Sequence, residues 1–199
     1  MSKNKQWGWL LIGLLMGMIL GVLTWPEEAW AAEPVITYMN GQTIRDDEVY
    51  PSTNQVEEAK NFLAFNRIKV PEDIEQLCTK YGEKNHIAPE LIEALIFVES
   101  SFRESAVDGS GTCKGLCQVK PSVHSTRMKL LGVTNIFDKE ENISVGSDYL
   151  RELFEEYEDV PVVLALYNGD GRALEEGYIS DYAQKIMKIS QALERAKYK

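Results

Sequence analysis

Three prolines, Pro71, Pro89 and Pro121, each head a stretch with helical spacing of apolar residues. Proline lacks the N–H that a helix interior needs and fixes φ near the helical value, so it suits a first helical turn and little else inside a helix. The chain from Gln55 onward therefore breaks into separate helices. VEEAKNFLAF is one amphipathic piece, and PEDIEQLCTKYGEKN follows with its acids in the first turn, as the helix dipole prefers. PELIEALIFVESSFR is the third, and SAVDGSGTCKG after it reads as a Gly- and Ser-rich loop. A short helix follows Pro121, and NISVGSDYLRELFEEY makes another. VPVVLALYN reads as a buried helix ending in the glycines of NGDGR. SDYAQKIMKISQALERAKYK closes the chain, with Asp181 near its start and Lys197 and Lys199 at its end. Seven or eight helices with scarcely any strand predict an all-α domain over residues 55–199.

The segment before it is of another kind. Lys3 and Lys5 precede an uncharged stretch from Gln6 to Pro26, and Ala29-Trp30-Ala31 gives an A-x-A pattern suited to signal peptidase. The apolar centre has the length of a cleaved signal, while Trp7, Trp9 and Trp25 flank it as a belt would flank a retained span. Residues 1–32 thus read as a signal peptide or an N-terminal membrane anchor. Either way, residues 33–199 work outside the cytoplasmic membrane, with no other membrane association. Residues 33–54 form a linker, in which Asn40-Gly41 between β-branched residues predicts a short hairpin.

Composition narrows the partners. Of the 199 residues 44% are hydrophobic, enough for a core, and the net charge is -10. That charge argues against nucleic acid and anionic lipid, both of which want clustered Lys and Arg. Cys78, Cys113 and Cys117 lie in an oxidising compartment on this reading, so one pair could be bridged. They could equally be small buried side chains. A C-x3-C pair with no nearby His is poor zinc spacing, and no metal or cofactor is expected.

One residue sits oddly in this pattern. Glu99 follows Ile96-Phe97-Val98 and shares a helical face with Ile92, Leu95, Ile96 and Phe102. A carboxyl on a buried stripe holds its proton above the usual range, as general-acid cleavage of a glycosidic bond requires. The alternative is that Glu99 frays into the loop or pairs with Arg103 four residues on.

The residues downstream carry a resemblance. Glu99-Ser100-Ser101-Phe102 with Ala106, Gly115-Leu116-Cys117-Gln118 with Pro121, and Asn142, Gly146, Tyr149 and Leu150 come first in order. Ala165-Leu166-Tyr167-Asn168-Gly169 and Tyr182-Ala183-Gln184-Lys185-Ile186 complete the series. Together they resemble the soluble lytic transglycosylase family, relatives of the goose-type lysozymes. The resemblance implies a lysozyme-like helical fold that cuts the MurNAc-GlcNAc β-1,4 bond of peptidoglycan strands without water. Glu99 would serve as acid and then as base, leaving a 1,6-anhydro-MurNAc end. By the same resemblance Tyr167 and Asn168 would sit over Glu99 and the scissile sugar, and Gln118 would hydrogen-bond in the cleft. Tyr182 would touch the acetamido group or orient Glu99, and Ser100 would bind beside them or cap and pack the helix. Core packing for the two tyrosines and loop bracing for Gln118 stay open as alternatives. The family often serves wall remodelling, secretion or conjugation machines.

Departures accompany the match. Cys117 and Lys120 stand where the family has Met, and the loop after Glu99 is one residue longer. Asp108 replaces a small Ser, so it could hold a water for a hydrolytic muramidase or simply turn the chain ahead of Gly109. An inactive peptidoglycan-binding scaffold is a further alternative.

Overall fold

The computed structural model describes residues 50–175 and 177–198, together with two short strands nearer the N-terminus. Those strands, β1 (Ile36–Thr37) and β2 (Thr43–Ile44), pair antiparallel with Ile36 opposite Ile44 and Thr37 opposite Thr43. They bracket Asn40-Gly41, where the hairpin was expected. The signal or anchor reading of residues 1–32 lies outside the described residues. Among the described residues, no helix is long and apolar enough to cross a membrane.

The second unit is helical: α1 (Thr53–Phe65), α2 (Glu72–Asn85), α3 (Pro89–Ser100), α4 (Pro121–Leu130), α5 (Lys139–Glu156), α6 (Val160–Tyr167), a 3-10 turn (Gly171–Leu174) and α7 (Asp181–Lys197). The first helix begins inside the stretch read as linker because Ser52 makes a capping box with Gln55. Pro71 stands just before α2, and Pro89 and Pro121 lie in the first turns of α3 and α4.

α3 is the central rod. Ile92, Ala94, Leu95 and Ile96 are all fully buried, and α3 packs on α2 and α7. Each fully buried Ile or Leu contributes about 2 kcal/mol of transfer free energy. The helix is thus apolar nearly all round, as a helix enclosed by others must be. It stops at Ser100, three residues short of the sequence expectation, because Ser101 (φ 53°) and Phe102 (φ 62°) are both left-handed. Two such residues cost on the order of 1 kcal/mol each. Phe102 offsets part of that cost by packing on Phe97, with ring centroids 5.7 Å apart. Phe102 therefore leaves the helical face it was expected to share with Glu99.

Glu93 is the exception in the rod. It is fully buried, and among the described residues its only polar partner is Lys197 at the end of α7, whose Nζ lies 3.3 Å from Glu93, 2.8 Å from Glu90 and 3.4 Å from Glu75. The other oxygen, Oε2, has no hydrogen-bonding partner among the described residues. Burial pushes the Glu93 carboxyl above its ordinary value of 4.5, even with Lys197 opposing. The folded state thus favours the protonated acid, and this contribution is complete below about pH 4.5 and lost as pH rises through the raised value. Lys197→Met removes the compensating cation, so its destabilisation should be near zero at about pH 4 and about 1–2 kcal/mol at about pH 8. Thermal denaturation across that range measures it; a pH-independent difference would show that Glu93 does not titrate with folding.

Candidate active site

Glu99 occupies the last turn of α3, at the open end of the buried Ile92–Leu95–Ile96 stripe, and is itself half-buried. Tyr182, in the first turn of α7, donates its hydroxyl hydrogen bond to Glu99 Oε1. The two residues are 83 positions apart and meet because α7 packs along α3. Two opposed effects act on the Glu99 proton. Loss of water raises its pKa, the Tyr182 hydrogen bond lowers it, and the first prevails. Tyr182 in turn is pushed far up by burial and by the neighbouring carboxyl, so it stays a neutral donor. The alternative pairing with Arg103 is not made, since Arg103 turns back to donate from Nε to the Ser100 carbonyl at 3.0 Å.

The floor is the loop from Lys114 to Val119, whose ends form an antiparallel bridge. Asn142 of α5 holds it from beneath: its Nδ2 donates to the carbonyls of Lys114 (2.9 Å) and Ile136 (2.8 Å), and its Oδ1 accepts from the Cys117 N–H (2.7 Å). Two glycines make this approach feasible. Gly115 has φ 77°, and a Cβ there would lie 2.2 Å from Asn142 Nδ2. Gly146 lies one helical turn beyond Asn142, and a Cβ there would lie 2.8 Å from Cys117 Sγ and 3.1 Å from the Tyr167 hydroxyl. The N-x-x-x-G spacing thus marks one face of α5 pressed against a backbone loop.

Tyr167 ends α6 and donates to the Cys117 carbonyl at 2.9 Å. Burial raises its pKa strongly, with Cys117, Glu99 and Tyr182 adding to the effect, which places all four in one electrostatic neighbourhood. The Tyr149 ring packs on Tyr167 at 5.2 Å, and His124 packs on Tyr149 at 4.6 Å. Arg127 lies over the Tyr149 ring at 4.9 Å, donates to His124 Nδ1 at 2.7 Å and pairs with Asp148 and Glu152. This aromatic and polar wall fastens α4, none of whose residues is buried, to α5.

The other expected residues divide. Gln118 (φ 46°) uses its Nε2 to donate to the Gly115 carbonyl at 2.9 Å and the Ala106 carbonyl at 3.3 Å, so its amide nitrogen braces the loop. Ser100 is buried, and its hydroxyl donates to the Ile96 carbonyl at 3.1 Å, so it packs the helix end. Asn168 caps α6 and is exposed, lining with Tyr182 a cavity of about 400 Å³. Within that cavity Asp170 accepts from Arg172 (Nε, 3.0 Å) and from the Tyr178 hydroxyl (2.8 Å).

Asp108 is occupied within its own loop. Its carboxylate accepts from the N–H groups of Thr112 (2.6 Å) and Cys113 (2.7 Å) and from Ser110, which holds it well below the usual carboxylate range. It organises its own loop, as the turn alternative had it. The three cysteines are free thiols, and burial pushes those of Cys78 and Cys117 well up, as expected of small apolar side chains. Sequence reasoning had counted Tyr149 as a motif letter without a role and passed over His124, Arg127, Asp170 and Tyr178. Asp148 and Glu152, one turn apart on α5, were the available hint that a cation from elsewhere sits there.

Residues 76–189, more than half of the chain, match the family described as Transglycosylase SLT domain. The chain is 34% identical over 104 residues to the transglycosylase of Enterobacteria phage PRD1, a match covering 52% of this chain and 37% of that protein. The X-ray structure of an inactive mutant of lytic transglycosylase Slt from Pseudomonas aeruginosa superposes with a TM-score of 0.51 at 19% identity, covering 61% of this chain and 24% of that one. The chain thus spans about a third and about a quarter of those two relatives, and the second likeness speaks to the all-α, lysozyme-like fold alone. With Glu99, Asn142, Tyr167 and Tyr182 all inside the matched residues, this chain belongs to the Transglycosylase SLT domain family.

Proposed function

We propose that this chain is a lytic transglycosylase that cleaves the MurNAc-GlcNAc β-1,4 bond of peptidoglycan. The observation that carries the reading is the setting of Glu99: a half-buried carboxyl at the end of α3, its proton affinity raised by loss of water, with Tyr182 as its hydrogen-bonding partner. Retaining glycosidases need a second carboxylate close by as nucleophile. Among the described residues no other carboxylate figures in the proton affinity of Glu99, and Asp108 is occupied in its loop. One acid used twice fits that environment.

The Glu99 acid protonates the glycosidic oxygen while the C1–O bond breaks and the GlcNAc end departs with that proton. The resulting carboxylate takes the proton from the C6 hydroxyl of MurNAc as O6 bonds to C1, closing the 1,6-anhydro ring and restoring the acid. No water is consumed. Tyr182 holds the carboxyl in place through both transfers, and Asn168 and Tyr167 bound the space where the sugar lies. Gln118 serves by shaping the loop beneath.

Mass spectrometry of digested sacculi tests the reaction. MurNAc ends should be 1,6-anhydro, lighter by one water than reducing ends; reducing ends as the main product would make the protein a muramidase. Action on murein places the domain outside the cytoplasmic membrane. A wall-remodelling, secretion or conjugation machine is the natural setting for such a cut.

A further inference from the structure

His124 closes a circuit of contacts that begins and ends at the floor loop. It stands near the start of α4, soon after Val119 completes that loop, and the helical geometry breaks at this residue (φ −99°, ψ 18°). Its ring packs on Tyr149 of α5 at 4.6 Å, and Tyr149 packs on Tyr167 of α6 at 5.2 Å. Tyr167 then donates to the Cys117 carbonyl, back in the floor loop, at 2.9 Å.

Arg127 fixes the state of the imidazole. A guanidinium has donors and no acceptor, so Nη1 at 2.7 Å from His124 Nδ1 needs a lone pair there and leaves the ring proton on Nε2. Arg127 itself is fastened by Asp148 at 2.8 Å and by Glu152, both on α5. Arg127, Asp148, Arg151 and Glu152 line one cavity with His124, and Arg151 is paired in turn with Asp148 and Glu155. A second ring proton would set N–H against N–H beside a guanidinium that two carboxylates hold in place. Burial first and Arg127 next, against Glu152, hold the imidazole below its ordinary value of 6.5. The folded state thus favours the neutral ring, a contribution complete above about pH 6.5 and lost as pH falls through the lowered value.

We propose that His124 is a positioning residue for bond cleavage: its neutral ring backs Tyr149 against Tyr167 and so keeps the floor loop beneath Glu99 in the cutting geometry. A protonated ring must turn from Arg127, and Tyr149 loses its backing. The proposal rests on the transglycosylase reading above. It gives activity an acid-side limb that Glu99 does not supply, since Glu99 is already in its acid form there.

The test compares full-length wild type, His124→Ala and His124→Phe on soluble glycan strands across pH, with rates taken per folded molecule from circular dichroism at each pH. His124→Ala removes the ring and should lower kcat about tenfold, with KM changed by less than about twofold. His124→Phe returns a ring to Tyr149 and should recover most of that loss. Its kcat should also stay level on the acid side, where that of the wild type falls. An acid limb that survives in His124→Phe, an alanine variant as fast as wild type, or a loss confined to KM overturns the proposal. A second readout needs no turnover. The chain has two histidines, so NMR follows the His124 imidazole once His124→Phe has assigned its signals. In full-length Glu99→Gln protein it should be the Nε2–H tautomer at neutral pH, and the Tyr167 ring signals should move with the His124 midpoint. The other tautomer, or Tyr167 signals indifferent to that midpoint, defeats the coupling even where cleavage is intact. Coupling preserved in a protein whose wild type releases no muropeptides would instead count against the transglycosylase reading.

Discussion

Glu99→Gln should lower muropeptide release from purified sacculi by about 10³-fold or more, while the protein becomes slightly more stable at neutral pH. Gln has the shape of Glu and still offers Tyr182 an oxygen to donate to, so the packing around residue 99 is kept. It cannot supply a proton, and it cannot take one from a C6 hydroxyl, so both halves of the reaction fail together. The stability gain has a separate origin. Burial disfavours the ionised Glu99, whose pKa is raised from 4.5, so its folding contribution is complete below about pH 4.5 and lost as pH rises through the raised value. Replacement by a neutral isostere removes that loss. Wild-type activity should accordingly fall as pH rises through the same value, because the acid form does the first step. Denaturation curves and product assays on the two proteins decide the matter. Retained turnover in Glu99→Gln, or a variant less stable than wild type at neutral pH, would remove Glu99 from the centre of the chemistry.

The helices were legible where local physics decides them. Proline at the head of α3 and α4, acids in the first turn of α2 and glycines after α6 act within a few residues, so the sequence pattern and the fold agree there. The anomaly of Glu99 was also local, since a carboxyl at the end of an Ile-Leu-Ile stripe needs no tertiary knowledge to be noticed. What sequence could not deliver was the partner of each polar group. The end of α3 at Ser100 depends on two left-handed residues tolerated because Phe102 finds Phe97. Asp108 was a candidate second carboxylate until three loop residues, Ser110, Thr112 and Cys113, were seen to fold around it. Gln118 and Ser100 bond to nearby carbonyls, contacts that side-chain identity alone does not assign. The polar wall of His124, Arg127 and Asp148 spans two helices and carries no periodic signature.

Asn142→Ala should be the most damaging change away from the chemistry, costing about 3–5 kcal/mol. The residue is fully buried and makes three hydrogen bonds to backbone groups drawn from two separate loops. An alanine leaves the Cys117 N–H and the Ile136 carbonyl without partners in a space from which water is excluded, while the Lys114 carbonyl keeps only the Val119 N–H, and each orphaned group costs about 1–3 kcal/mol. That is a large share of the 5–15 kcal/mol that holds a typical domain together. Aspartate does not rescue it: the acceptor for Cys117 survives, but both donated bonds vanish and a charge is buried in their place. The damage should reach the cleft, because the Cys117 carbonyl that anchors Tyr167 belongs to the same loop. Urea denaturation gives the stability loss, and assays at a temperature where the variant is still folded should show turnover reduced beyond what unfolding explains. Ser100→Ala makes the contrast. Its hydroxyl only supplements a helical carbonyl, so the loss should stay within about 1 kcal/mol with no change in KM. A penalty for Asn142→Ala as small as that of Ser100→Ala would mean that the loop beneath Glu99 holds its shape unaided.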